Sequence, residues 1–182
     1  MATQTSTELR PGATTVRFTG TVVSVADRAI VKLPDEASVE LPSRGQVAVS
    51  AALNEDSLVM VVEPDGMKGH WLDVDGTLEV GATVQVELTP IKDWPEPQVP
   101  KDLRAALAEA SDLSDVWEDI TPMARWEWVR WIGATKNPDT RAKRVQVSID
   151  KLRNGKRRPC CFDLSSCTDP ELSKSGKLQS ID

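Results

Sequence analysis

Residues 121–158 read TPMARWEWVRWIGATKNPDTRAKRVQVSIDKLRNGKRR, and their order predicts two helices joined by a short turn. Thr121-Pro122 places a capping hydroxyl ahead of a proline at the first helical position, where the missing N–H costs nothing. Met123, Trp126, Val129 and Ile132 then recur at three-residue steps, which predicts an apolar stripe widened by Trp128 and Trp131. Asn137-Pro138 repeats the cap-and-proline start, and Asp139 stands at the positive end of the second helix dipole. Ala142, Val145, Ile149 and Leu152 continue the helical period, and Asn154-Gly155 supplies a left-handed stop. Two amphipathic helices with so short a turn read as an antiparallel helical hairpin.

Working outward, 182 residues allow one domain or two small ones with a sizeable core. No window approaches eighteen consecutive apolar residues, so no transmembrane helix is expected. The N-terminal MATQTSTELRPGATT is polar and lacks an apolar core, so no secretory signal is read and a cytoplasmic setting with reduced thiols is expected. Charge is uneven along the chain. Residues 1–100 carry seven Lys/Arg against fifteen Asp/Glu, whereas residues 101–182 carry fifteen against thirteen. An acidic first half argues against its gripping phosphate backbones. It favours solubility and would attract cationic partners.

Upstream of the helices the periodicity changes to two. After a lead-in over 1–15 expected to be disordered, Val16 to Val25 alternates as a strand and Ala29 to Leu33 forms a second. Pro34 to Ala37 reads as a turn or a single helical turn. Gln46 to Leu53 and Leu58 to Val62 flank the polar Asn54-Glu55-Asp56, which predicts a hairpin. Pro64-Asp65-Gly66 marks the next turn, and His70 to Val74 and Thr83 to Leu88 bring the total to about six short strands, a count that suits a small barrel over 16–92. Three prolines within 93–100 predict an extended linker. Beyond it, 102–110 and 113–120 read as short helices, giving a helical segment over 101–158 and a cysteine-bearing tail over 159–182.

The run Val99-Pro100-Lys101-Asp102-Leu103-Arg104-Ala105-Ala106-Leu107 resembles the helical segment of the bacterial YdeI/OmpD-associated family, whose members are labelled bacteriocin-protection proteins. So do Thr121-Pro122, Arg130-Trp131-Ile132 and residues 137–144, NPDTRAKR. The strands ahead of them resemble the small β domain of unknown function that sits upstream of that segment. The resemblance implies an α+β protein in which a small double-split-type β-barrel precedes a C-terminal helical segment. It also implies a loose bacteriocin- or stress-tolerance context, with no reaction and no catalytic residues to carry over. Val59 to Trp71 departs from the arginine and glycine pattern expected of that β domain, which places a family ligand site there in doubt.

Three groups of residues are candidates for chemistry. Arg141, Lys143, Arg144, Lys151, Arg153, Lys156, Arg157 and Arg158 form a basic run offset only by Asp150. Such a run suits a phosphate-tracking surface, and equally a solvated helix face. With an isoelectric point near 4.9, the solvated face is the preferred reading. A third reading sets this patch against an acidic barrel of the same or a neighbouring chain. Cys160, Cys161 and Cys167 are candidate reactive thiols, since adjacent arginines can lower a thiol pKa. Their Cys-Cys-x5-Cys spacing is not the Cys-x2-Cys clip of a zinc site, so no metal and no cofactor are expected. Asp73 and Asp75 lie two apart and can share a strand face, although Asp75-Gly76 reads as a turn.

Enzymatic signatures are missing from the sequence. His70 is the only histidine, and neither a nucleophile elbow nor a Gly-rich phosphate loop is visible. The sequence therefore points to a non-enzymatic, cytoplasmic binding or interaction protein with a protein or cationic-peptide partner. Its alternatives are a nucleic-acid-associated protein using residues 141–158 and a thiol or metal protein using the cysteine tail.

Overall fold

A computed structural model describes residues 8–159 and 163–182. The chain divides into two compact units. The first runs to Trp94 and takes in Leu164–Cys167 and Leu172–Asp182; the second comprises Pro95–Asp163 and Thr168–Glu171. Together they form an α+β protein.

The first unit is built on seven antiparallel strands: β1 Val16–Thr21, β2 Val23–Val25, β3 Arg28–Lys32, β4 Val47–Leu53, β5 Asp56–Pro64, β6 His70–Asp73 and β7 Thr83–Pro90. A short helix, α1 (Asp35–Glu40), joins β3 to β4. The strand order is β1-β7-β4-β5-β6-β3-β2. Its two ends, β1 and β2, are separated in the chain by Val22 alone, so the sheet curls into a barrel-like form. Gly20 lies where the curl brings β1 against β3. A Cβ there would stand 2.7 Å from Cγ1 of Val31, and valine, stiff about χ1, cannot easily withdraw. The alternation predicted for β7 is realised, with Val84, Val86 and Leu88 buried and Thr83, Gln85 and Glu87 exposed. These three valine and leucine side chains pack with Val49, Ala51, Val62 and Leu72 in the principal core. The β4–β5 hairpin turns tightly, with Leu53 paired to Asp56 and Asn54 at φ 57°. Asparagine tolerates that left-handed conformation.

The C-terminal residues are more than a tail. Ser173–Lys174 (β8) and Lys177–Leu178 (β9) form a small hairpin turning at Ser175 and Gly176, both at positive φ. Leu172, Leu178 and Cys167 bury against Val25, Ile30 and Trp71 to make a second core in the same unit. Main-chain hydrogen bonds from Leu178 to the Asp65 carbonyl (2.8 Å) and from Asp182 to the Ser24 carbonyl (2.9 Å) fix the segment in place. The Ser24 hydroxyl donates to the Asp182 carboxylate at 2.6 Å. That bond is the first cause holding the Asp182 carboxyl below its ordinary range.

In the second unit, α2 (Lys101–Glu109), a 3-10 turn at Ser111–Leu113, α3 (Ser114–Asp119), α4 (Pro122–Gly133) and α5 (Pro138–Arg153) follow one another. The caps are those read from the sequence. Thr121 Oγ1 accepts from the Ala124 amide at 3.2 Å, and Asn137 Oδ1 accepts from the Asp139 and Thr140 amides. Gly155 takes φ 81° just past α5. Replacing Thr121 by Ala is expected to cost about 1 kcal/mol, read as a lower urea midpoint with an unchanged slope.

The buried face of α4 differs from the three-residue stripe. Met123 is 38% exposed and Trp126 and Val129 are half-buried, whereas Ala124, Trp128 and Ile132 are buried. On a helix of 3.6 residues per turn, successive steps of three drift away from a fixed face faster than steps of four. Trp128 is fully buried among Leu113, Ile120, Ile149 and Leu152, and its indole N–H donates to the Arg157 carbonyl at 3.0 Å. Residues 95–100, part of the stretch 93–100 that reads as an extended linker, belong to this unit. Trp126 donates to the Pro95 carbonyl at 2.6 Å, Arg104 to the Val99 carbonyl at 2.9 Å, and Arg125 pairs with Glu96.

Candidate functional site

The basic run and its surroundings form the most heavily charged part of the helical unit, and most of its cations already have partners. Arg141 binds both oxygens of Asp102 on α2 at 2.6 and 3.0 Å, and Arg153 binds both oxygens of Asp112 at 2.8 and 3.0 Å. These contacts are the largest cause holding the Asp102 and Asp112 carboxyls below their ordinary range. Arg157 meets the Asp119 carboxylate at 2.6 Å. Arg158 pairs with Glu127 of α4, whose side chain is only 7% exposed. The Glu127 hydrogen bond raises the Arg158 guanidinium further above its already high value. Arg144 donates to the Trp131 carbonyl at 2.6 Å, so a cation satisfies an open carbonyl near the end of α4. The Trp131 ring also lies 5.4 Å from the Arg144 guanidinium and 5.5 Å from the Lys151 ammonium, close enough for cation–π attraction.

The run therefore ties α5 and its exit to α2, the 3-10 turn, α3 and α4. Lys143 and Lys156 are exposed, with no ion-pair partner among the described residues. A further cation of this unit, Arg125, is buried and serves the chain itself. One of its nitrogens reaches the carbonyls of Trp117 (2.9 Å), Glu118 (3.2 Å) and Ile120 (2.5 Å), which end α3 and are otherwise short of donors.

Cys160 and Cys161 lie outside the described residues. Cys167 is buried in the second core of the first unit, with its main-chain N–H on the Gly176 carbonyl at 2.8 Å. No group of His, Cys, Asp and Glu among the described residues is arranged to hold a metal ion. Asp73 and Asp75, which share a strand face on paper, are occupied in holding the chain. Asp75 accepts from the Ala29 amide at 3.2 Å, and Asp73 accepts from the Asp75 amide at 3.0 Å and pairs with Arg28.

His70, in the barrel unit, is also perturbed by its surroundings. It is fully buried at the β5–β6 turn, with Nε2 3.1 Å from the Gly45 carbonyl and Nδ1 without a hydrogen-bond partner among the described residues. Asp65 shapes the same turn by accepting from the Met67 and Gly69 amides at 2.6 and 2.8 Å. Burial pulls the imidazole pKa below 6.5, against smaller upward effects of the Gly45 and Ser43 carbonyls and the Asp65 charge. The unfolded chain therefore takes up the proton first as pH falls. The stabilisation is whole above about pH 6.5 and is lost progressively below it. The urea midpoint is expected to fall through that window, and His70→Gln is expected to remove this contribution.

The barrel unit carries the opposite balance. Among the described residues its ion pairs include the solvent-exposed Arg17 with Glu87 at 2.9 Å and Lys92 with Glu8 at 3.4 Å, besides Arg28 with Asp73. Asp35, Glu36 and Glu40 on α1, Glu55 and Asp56 at the β4–β5 turn, and Glu79 are exposed and have no ion-pair partner among the described residues. Sequence composition signals this surplus, but not which carboxylates it consists of.

The two units coincide with two family models. Residues 18–88 match a domain of unknown function (DUF1905), which is the curled sheet, and residues 96–155 match the family described as bacteriocin-protection, YdeI or OmpD-associated. The chain thus joins a segment similar to a β domain of unassigned role to a helical segment similar to a described family. The segment over 96–155 is similar to the YdeI/OmpD-associated family, and the match to the β domain lies ahead of it. No curated protein matches the chain. No helix among the described residues is long and apolar enough to cross a membrane.

Proposed function

We propose that the protein is a non-enzymatic cytoplasmic binding protein acting in bacteriocin or stress tolerance, and that its acidic barrel unit takes up a cationic peptide or protein segment. The observation that carries this reading is the asymmetry of ion pairing. Four arginines of the helical unit are held by Asp102, Asp112, Asp119 and Glu127, while the barrel unit leaves carboxylates of α1 and of the β4–β5 turn unmatched among the described residues. A surface of one sign raises the local concentration of opposite charge and speeds encounter. The family description of the helical unit supports the tolerance context. Nucleic-acid binding through residues 141–158 draws less support, because those same ion pairs would have to open before the arginines met phosphate.

Titration of the full chain with a short oligolysine peptide at low and at high ionic strength tests the reading. Saturable binding that weakens steeply as salt rises is expected, because exposed charges are screened over about 10 Å at 0.1 M salt. Binding that is unchanged by salt would overturn the electrostatic account.

A further inference from the structure

Strand β5 pairs with β6 over only a small part of its length. The register on that side joins Glu63 to Trp71 and Pro64 to His70, with the Asp65 amide on the Gly69 carbonyl at 3.0 Å beyond them. On the other side β5 pairs with β4 over its whole run from Asp56 to Val62. The direction of each main-chain group follows from the ladder. The Ile91 amide donates to the Ala48 carbonyl and the Asn54 amide to the Gln85 carbonyl. Even-numbered residues of β4 therefore serve β7, and odd-numbered ones serve β5. With Val49 opposite Met60 and Ala51 opposite Leu58, the even residues of β5 bond to β4. Ser57, Val59 and Val61 direct their N–H and C=O groups the other way, and no strand among the described residues pairs with them there.

We infer that this open edge of β5, over residues 57–61, is a docking site for an extended cationic peptide, which adds to the barrel sheet as an eighth strand. The inference rests on the proposed function and specifies how its partner is held. Unpaired strand edges are templates for strand addition, in which main-chain hydrogen bonds supply affinity and alternate side chains supply selectivity. Ser57 and Val59 are exposed, so the row is reachable from solvent at its N-terminal end, while Val61 is buried. The occupant's charge follows from the carboxylates at the end of the row. Glu55 and Asp56, both exposed and without an ion-pair partner among the described residues, stand where a lysine or arginine of an added strand would come. The corresponding row on β1, Arg17, Thr19 and Thr21, carries a cation instead, so it does not complement such a peptide. A second copy of this chain would bring its own Glu55 and Asp56, and the acidic surface around them, towards the same edge. Like charges brought close together oppose that pairing.

The test uses the full chain and an end-capped peptide of about eight alternating lysine and valine residues, long enough at ~3.3 Å per residue to span 57–61. Amide hydrogen exchange is followed residue by residue, with and without the peptide. The expected result is protection of the Ser57, Val59 and Val61 amides on binding. Val59→Pro, which removes an N–H outside the β4 ladder, should keep the urea midpoint and weaken binding at least about tenfold. Glu55→Lys combined with Asp56→Lys should weaken it as well. Should V59P fail to fold, the wild-type exchange pattern decides by itself. Binding that leaves those three amides exchanging freely, or that V59P retains in full, would overturn edge addition and leave the proposed function standing. Protection of the same amides by self-association without peptide would overturn it in favour of a second copy. No saturable binding to the wild-type chain would overturn the proposed function itself.

Discussion

Replacing Trp128 by Ala is expected to lower the stability of the helical unit by about 3–5 kcal/mol, the range for removing a large aromatic from a packed core. The residue is fully buried and packs with residues of the 3-10 turn and α5, while its ring meets Trp131 edge-on at 6.2 Å. Such edge-to-face pairs add to what burial alone contributes. Truncation would also leave the Arg157 carbonyl without its indole donor. The loss is read as a lower urea midpoint, accompanied by loss of the emission from a buried indole. Trp126, only half-buried on the same helix, should tolerate alanine better despite having the same chemistry. A comparable loss at both positions would contradict the assignment of the buried face.

Gly66→Ala carries the second large effect. Gly66 sits at φ 76°, which costs any other residue about 1 kcal/mol before contacts are considered. A Cβ there would also run into the main-chain carbonyl of Gly176. Backbone cannot rotate aside as a side chain can, so the β8–β9 hairpin would have to lift from the β5–β6 turn. The bond from Leu178 to the Asp65 carbonyl would go with it. The expected loss is about 3 kcal/mol or more, with the C-terminal segment becoming the first site of proteolytic cleavage. Gly76→Ala is a control. Gly76 has a similar φ of 71°, but a Cβ added to it would meet nothing within 4 Å, so it should show the backbone penalty alone.

Much of this architecture was legible in the sequence because it depends on local chemistry. Thr121-Pro122, Asn137-Pro138 and Asn154-Gly155 set helix ends through caps and a left-handed stop, all within a few residues of one another. Valines alternating through β7 announce their own inward face. What escaped was set by contacts distant in sequence. The hairpin at Ser175-Gly176 looked like part of a tail, because its stability comes from Asp65, Gly66 and Trp71, a long way earlier in the chain. The partners of the basic run were hidden for the same reason. Asp102, Asp112 and Asp119 are ordinary surface acids in the sequence, and only helix packing brings them to Arg141, Arg153 and Arg157. The open edge of β5 was equally out of reach, because pairing with β4 and the early departure from β6 are properties of sheet register rather than of composition.

The proposed function places binding on the acidic barrel unit and not on the basic helix. The most direct measurement is a pair of calorimetric titrations of the same full chain at low ionic strength, one with oligolysine and one with a short nucleic-acid duplex. Saturable heat is expected with the peptide, abolished by salt, and none with the duplex. Saturable, salt-suppressed binding of the duplex with no response to the peptide would contradict it and transfer the function to Arg141–Arg158.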